Sequence, residues 1–221
     1  MNRFLDRNNS FFMTLERMAN FCILNTLTVL LCLPIITAGA AIAAGNRVMQ
    51  SMITDGELHI VKSFFQAFGN NFRQSTVLGL ISLFVIAFLG ADFIVVSLYD
   101  FNLGQFPIDI FLYVILGNIT LIAVGTAAYA FAMVGRYENT IRGHLDTALY
   151  LVFRQLPRTV AIVVLWLSPA LIALASPVWF LSYPSLALWA FVGVSSILYL
   201  VTRLMMPVFA KLEVDEEGDA Q

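Results

Sequence analysis

Side chains that commonly do chemistry are few in this chain, and they stand apart from one another. It has two histidines, His59 and His144, and two cysteines, Cys22 and Cys32. Zinc sites gather Cys and His at short, characteristic intervals; here each histidine is alone. The cysteines share one apolar run at a spacing that points them in different directions from a helix. That excludes a disulfide within the helix and leaves both as small apolar filler. No glycine-rich phosphate loop and no nucleophile elbow occur, and no hydroxyl residue has a histidine and a carboxylate at a recognisable spacing. The residues therefore predict no catalytic, cofactor-binding or metal-binding site, and a protein that is not an enzyme. Two polar features remain. Asp92 is the one acidic residue within a predicted span; an ionised Asp at a helix centre costs roughly 2.5–3.5 kcal/mol. Its place near the far end of its helix reads as an outer-interface carboxylate within reach of water, rather than a proton or substrate site. Arg136-Tyr137-Glu138 directly follows an apolar run. Arg136 and Tyr137 suit anchors at a membrane interface, or Arg136 could pair with Glu138 to organise that face.

The elements that must position these residues are set by lipid. The chain is 60% apolar and only 12% charged over 221 residues, whereas a soluble domain carries about 45–50% and roughly 25%. Such a surface cannot stay dissolved in water. The net charge of −2 and the scattered Lys and Arg exclude a nucleic-acid partner. Asp6 and Glu16 interrupt the N-terminal region, which does not read as a cleavable signal.

A membrane helix needs about 20 mostly apolar residues. Met18 to Asn46, Gln74 to Ala91, Ile110 to Gly135 and Thr159 to Thr202 are free of charge. The last run is long enough for two helices with an interfacial turn between Pro177 and Ser185. Basic residues decide how to read the first. Arg3, Arg7 and Arg17; Arg47, Lys62 and Arg73; Arg136, Arg142, Arg154 and Arg158; and Arg203 with Lys211 form four clusters. The positive-inside rule places all four in the cytoplasm only if residues 18–46 cross twice. Pro34 and Gly39 supply the break.

The expectation is an all-α polytopic transmembrane bundle, a single domain over 1–210. It has about six membrane helices, near 15–33, 38–53, 75–98, 109–134, 159–178 and 185–206, with the first apolar run broken at Pro34–Gly39. Five full spans are the fallback. Both termini are cytoplasmic, and 211–221 is an acidic disordered tail.

Two cytoplasmic segments, 57–73 and 142–158, are amphipathic. In the first, Leu58, Val61, Phe65, Phe68 and Phe72 follow one helical face and Phe64 widens it. In the second, Leu145, Ala148, Leu149, Val152 and Leu156 do so. Aligned without gaps, His59 to Arg73 sits over His144 to Arg158 with His, Phe and Arg identical, which suggests two parallel helix–amphipathic helix–helix units. These segments either lie in the interface as connectors or dock on a partner, with Phe64, Phe65, Phe68 and Phe72 as anchors. Ala40, Ala44 and nearby small residues are packing positions.

Asn25 through Pro34-Ile-Ile-Thr37-Ala-Gly39, then Phe64-Phe-Gln-Ala-Phe68-Gly-Asn-Asn71-Phe72-Arg73, then Arg136-Tyr137-Glu138 with Leu156-Pro157-Arg158-Thr159, occur in that order. Together they resemble the signature of the YesL-like family of bacterial membrane proteins. The resemblance makes Asn25, Pro34, Thr37, Gly39, Asn71, Arg73, Arg136, Tyr137 and Arg158 structural motif positions. It implies a multi-pass protein of the bacterial cytoplasmic membrane and a non-catalytic accessory role beside the permease subunits of a carbohydrate ABC importer. A transporter in its own right is an alternative. Yet Glu138-Asn-Thr-Ile-Arg-Gly143 with Leu156-Pro157 lacks the alanines of the importer coupling motif and misses its spacing. A membrane sensor or regulator is the other alternative, although the chain offers no signalling domain.

Overall fold

The first apolar run breaks at its proline. In the computed structural model, which describes residues 10–56, 59–99, 108–175 and 189–219, α1 spans Ser10–Cys32 and α2 spans Ile35–Thr54. Pro34 has no N–H to donate and takes extended backbone, with φ −76° and ψ 126°. Thr37 bridges the interruption: its hydroxyl donates to the Leu31 carbonyl at 2.6 Å and lies 3.0 Å from that of Pro34. Carbonyls orphaned at the end of α1 are thereby satisfied. The break therefore falls before Ile35 rather than across 34–39, and Thr37 and Gly39 belong to the first turns of α2.

The remaining elements are α3 (Ile60–Asn70), α4 (Phe72–Leu98), α5 (Ile108–Val134), α6 (Ile141–Arg154), α7 (Leu156–Ala175), a π-helical turn at Trp189–Gly193, and α8 (Val194–Asp219). Among the described residues there is no strand. Five helices among the described residues are long and apolar enough to cross a membrane: Thr14–Cys32, Phe72–Leu98, Ile108–Val134, Leu156–Ala173 and Phe191–Leu212. They mark a multi-pass membrane protein. The outward faces of α4 and α5 carry large bare hydrophobics such as Phe84 (73% exposed) and Phe111 (70%), as a lipid-facing helix does.

The expectation of about six membrane helices is met at five, because α2 is not apolar enough. Its 20 residues would span about 30 Å, but Asn46, Arg47, Gln50 and Ser51 dilute its hydropathy. Its position explains why. α2 touches α1, α3, α4, α5 and α8, and half its length is buried, from Gly39 through Gln50. A helix enclosed by other helices has no lipid to satisfy, so close packing by Gly and Ala takes over from hydropathy.

Other boundaries move for local reasons. The segment expected as one amphipathic helix over 57–73 is α3 alone; Asn71 then opens α4, so Phe72 and Arg73 lie in the first turn of α4. Likewise 142–158 divides at Gln155. Leu156 and Pro157 start α7, where the missing proline N–H has no helical partner to lose. The expected disordered tail is not separate as backbone. α8 continues through Asp219, since Ala210-Lys-Leu-Glu213 are good helix formers and no glycine intervenes before Gly218. Pro207 and Pro169 lie inside α8 and α7. The expected turn at Pro177–Ser185, the connection near 100–107, Leu58, Arg3 and Arg7 lie outside the described residues.

Candidate functional site

Charge gathers at one end of the bundle. Arg17 of α1, Asp55 after α2 and Arg203 of α8 line one hollow there. Arg47 of α2, Asn71 and Gly135 line another. The Gln50 amide donates to the Ala132 carbonyl at 2.9 Å, and Gln74 donates to that of Asn139 at 2.8 Å, so α2, α4 and α5 meet at this end. α3 and α6 both lie across it.

α3 has three sectors at 100° per residue. Ile60 and Phe64 face inward, against Leu24, Ala44, Val48 and Met49. On one flank Val61 (49% exposed) and Phe65 (50%) are bare, with Phe68 half-buried beside them. On the other flank are Ser63, Gln66 and Asn70. Phe64, Phe68 and Phe72 form a ring ladder, with centroids 6.3 and 5.3 Å apart. Phe64 is thus a core side chain of this chain, wholly enclosed, and not the partner anchor the sequence suggested. Phe65, Phe72 and part of Phe68 remain available. Phe65 and Val61 form a bare stripe one position around from the buried one, with half-buried Phe68 between the two.

α6 repeats the scheme. His144, Ala148, Leu151 and Val152 are buried, whereas Leu149, Tyr150 and Phe153 are bare, as is Leu156 at the start of α7. Burial pushes the His144 imidazole below its ordinary 6.5. Its Nε2 has no hydrogen-bond partner. The apolar face expected from Leu145, Ala148, Leu149, Val152 and Leu156 is thus divided, with Ala148 and Val152 buried and Leu149 and Leu156 outward.

The motif positions divide by role. Asn25 is fully buried; its Oδ1 accepts from the Ser195 N–H at 2.9 Å and its Nδ2 donates to the Trp189 carbonyl at 3.3 Å. It thereby satisfies the π-helical turn and the start of α8. Pro34 and Thr37 make the break. Gly39 sits where α2 crosses α4: a Cβ there would collide with the Ser75 carbonyl and come within 2.8 Å of Gly79 Cα. Asn71 starts α4 through its carbonyl, which accepts from Ser75 N–H at 2.9 Å. Arg136 places its guanidinium 5.7 Å from the Tyr137 ring and 5.5 Å from Phe209, tying the end of α5 to α8 by cation–π contact. Arg158 donates to Gln155 Oε1 at 3.2 Å. Arg73 is exposed. These residues form separate structural joints and no common site. Asp92 is half-buried near the far end of α4.

The sequence reading passed over two features. Asn46 and Gln50 are buried polar residues of α2 whose Oδ1 and Oε1 lack partners. Their polarity inside an apolar run was the available signal. A cleft of about 510 Å³ opens between α2, α4, α5 and α7, lined by Ile35, Gly39, Gly79, Phe131 and Trp166 among others. The helix–amphipathic helix–helix repeat is present in a register one residue off the sequence alignment. Ile60, Phe64, Leu78 and Ser75 match His144, Ala148, Ile162 and Thr159 in burial. Gly39 meets Ser75 and Gly79, as Gly125 meets Thr159 and Val163. His59 is the exposed residue before α3 and has no counterpart in buried His144.

Among the described residues, no three His, Cys, Asp or Glu side chains lie together in a group that could hold a metal ion, and both cysteines are free thiols. The fold thus defines a multi-pass, all-helical membrane protein with two amphipathic helices at its basic end. Residues 21–93 match the model of a family described as a protein of unknown function, DUF624. The match takes in most of α1, all of α2 and α3, and most of α4. It contains Asn25, Pro34, Thr37, Gly39, Asn71, Arg73 and the four phenylalanines, and it ends before Arg136, Tyr137 and Arg158. No curated protein and no solved structure matches the chain.

Proposed function

We propose that this protein is a non-catalytic accessory subunit of the bacterial cytoplasmic membrane, holding permease subunits of a carbohydrate ABC importer through α3 and α6. The observation that carries the reading is the bare flank on each amphipathic helix: Val61 and Phe65 on α3, with Phe72 at the start of α4 beside them, and Leu149, Tyr150 and Phe153 on α6. An apolar helix face of this kind binds a groove on a partner. The basic end faces the cytoplasm by the positive-inside rule, which leaves both termini there and makes α2 a sixth, inner span shielded from lipid. The importer as partner follows from the resemblance to YesL-like proteins over Asn25–Gly39, Phe64–Gln74, and Arg136–Glu138 with Leu156–Thr159.

The membrane cleft favours this reading over independent sugar transport. Sugar hydroxyls need hydrogen-bonding partners, and a buried polar group without one costs roughly 1–3 kcal/mol. Among the side chains lining the cleft, Ser82 supplies the one hydroxyl, and aliphatic and aromatic groups supply nearly all the rest. It suits an acyl chain or an apolar side chain from a neighbouring helix.

The test is purification from native membranes in a mild detergent, followed by mass spectrometry of what accompanies the chain. Permease subunits should co-purify with the wild type and be lost with Phe65→Asp or Phe153→Asp, at unchanged yield of the chain itself. Recovery without any importer component would overturn the assignment. Solute uptake by vesicles containing this chain alone would replace it with the transporter reading.

A further inference from the structure

The hollow on the polar flank of α3 lies apart from the bare apolar flanks and is built differently. It encloses about 300 Å³, lined by Arg47, Val48 and Ser51 of α2, Ser63, Gln66, Ala67 and Asn70 of α3, Asn71, and Gly135. Val48, Ala67 and Gly135 supply its apolar lining, and hydroxyl, carboxamide and guanidinium side chains supply the rest. None of Arg47, Ser51, Ser63, Gln66 and Asn70 makes a side-chain hydrogen bond or ion pair among the described residues. No carboxylate lines it. The arginine stem is held across the end of α5, because a Cβ on Gly135 would come within 2.9 Å of Arg47 Cβ and 3.4 Å of its Cγ. Glycine at 135 thus lets the Arg47 stem pass close to the end of α5, and Arg47 is the one charged residue lining the hollow.

A hollow with one guanidinium, two hydroxyls and three carboxamides, and no carboxylate, suits an anion that carries several acceptor oxygens. A guanidinium binds phosphate oxygens in a planar fork, and neutral donors complete the shell. We infer that the hollow between α2, α3 and the end of α5 is a binding site for a phosphate group, with Arg47 as its charged ligand. The second hollow at this end is the weaker competitor despite its two arginines: Asp55 lines it, and the Arg203 Nε–H is already spent on the Tyr199 hydroxyl at 3.2 Å. Two sources present this chemistry at the basic end of a membrane protein, a phospholipid headgroup and a soluble phosphate or phosphoester. The inference does not depend on the proposed importer partnership, since Ser63, Gln66 and Asn70 lie on the opposite flank of α3 from Phe65.

The experiment uses the full chain in maltoside micelles, which contain no phosphate, and follows the thermal unfolding midpoint against added ligand. One arm titrates inorganic phosphate and the other phosphatidylglycerol. A ligand that binds the folded chain raises the midpoint with concentration. A rise with inorganic phosphate identifies the soluble source, and a rise with phosphatidylglycerol alone identifies the headgroup; either supports the site. Arg47→Gln should then need about tenfold more ligand for the same shift, as loss of one charge-assisted contact predicts. The double variant Ser63→Ala/Asn70→Ala, at the rim, should need several-fold more, and it serves should Arg47→Gln fail to fold. Arg17→Gln, in the other hollow, should respond as the wild type. No shift in either arm overturns the inference. So does an Arg47→Gln chain that responds like the wild type, or an Arg17→Gln chain that loses the response equally, which would mean diffuse surface charge.

Discussion

Replacing Gly39 by alanine adds one methyl group where two helix backbones touch. The Cβ would lie 2.8 Å from Gly79 Cα and 3.2 Å from its nitrogen, and closer still to the Ser75 carbonyl. Carbon atoms are comfortable at about 3.5–4.0 Å, so α2 and α4 must separate by close to 1 Å at the crossing. Neither side can give by turning a rotamer, because both partners are backbone. Separation also loosens contacts that share the crossing, including buried Leu78 against Phe131 and its neighbours. Overpacking a close contact costs typically 1–3 kcal/mol, or roughly 2–12 °C in midpoint for a chain of this size. Gly90 is the matched control, on the same helix α4 with nothing within 4 Å of a Cβ. Gly90→Ala gains helix propensity and should be neutral or stabilising by up to about 1 kcal/mol. The assay is thermal or denaturant unfolding of purified chains in one detergent, with Gly79→Ala as the reciprocal probe. Equal stability of Gly39→Ala and Gly90→Ala would refute a backbone-to-backbone crossing at this point.

Further outcomes follow from single observations. Asn25→Leu leaves the Ser195 N–H and the Trp189 carbonyl without their buried partner, so unfolding measurements should show a loss of about 1–3 kcal/mol, more than for Asn118→Leu on the exposed side of α5. Phe64→Ala should cost about 3–5 kcal/mol, while Phe65→Ala, half exposed in the same helix, should cost under 1 kcal/mol in the same assay. His144 has a folded-state pKa below its ordinary 6.5, so the unfolded chain binds more protons and stability falls as pH drops through that value. Unfolding between about pH 7.5 and 5 should show this decline in the wild type, and a weaker one in His144→Gln.

How much was legible depended on which solvent each residue meets. Lipid-facing helices announce themselves, because every outward position must be apolar; α4, α5 and α7 lie within a few residues of their expected starts. The proline break at Pro34 was legible because a missing N–H is a local fact that no packing can repair. α2 was legible as a helix but not as the centre of the bundle. Its burial depends on five neighbours, and Gly and Ala look alike at a lipid surface and in a core. The faces of α3 and α6 were misjudged by about one position for a related reason. With apolar residues on more than half of the wheel, periodicity shows that a face exists but not where the bundle lies. Phe64 and Phe65 are adjacent and identical in type; only the position of Met49 and Leu24 decides which one is core.

The repeat shows why the two halves of one plan can differ in use. In the second unit the glycine, Gly125, meets side chains: the methyls of Thr159, Val152 and Val163 at 2.7, 3.2 and 3.7 Å from an added Cβ. In the first unit Gly39 meets Gly79, where the second has Val163, and backbone meets backbone. Two missing side chains at that crossing leave space beside it, and the space is the apolar cleft, which both glycines line. Filling it from within is therefore a simple operation. Gly79→Val would restore the pattern of the second unit but force α2 outward at Gly39, coupling the cleft to the one helix that all but two others touch. The matched segment, residues 21–93, covers nearly all of this first unit. The features that set it apart are the glycine crossing and the proline break that feeds it. A cleft formed by small residues at the centre of the bundle and an amphipathic helix at its basic end are thus joined twice, through α2, which packs on α3 and lines the cleft, and through α4, which follows α3 directly and lines the cleft from the other side.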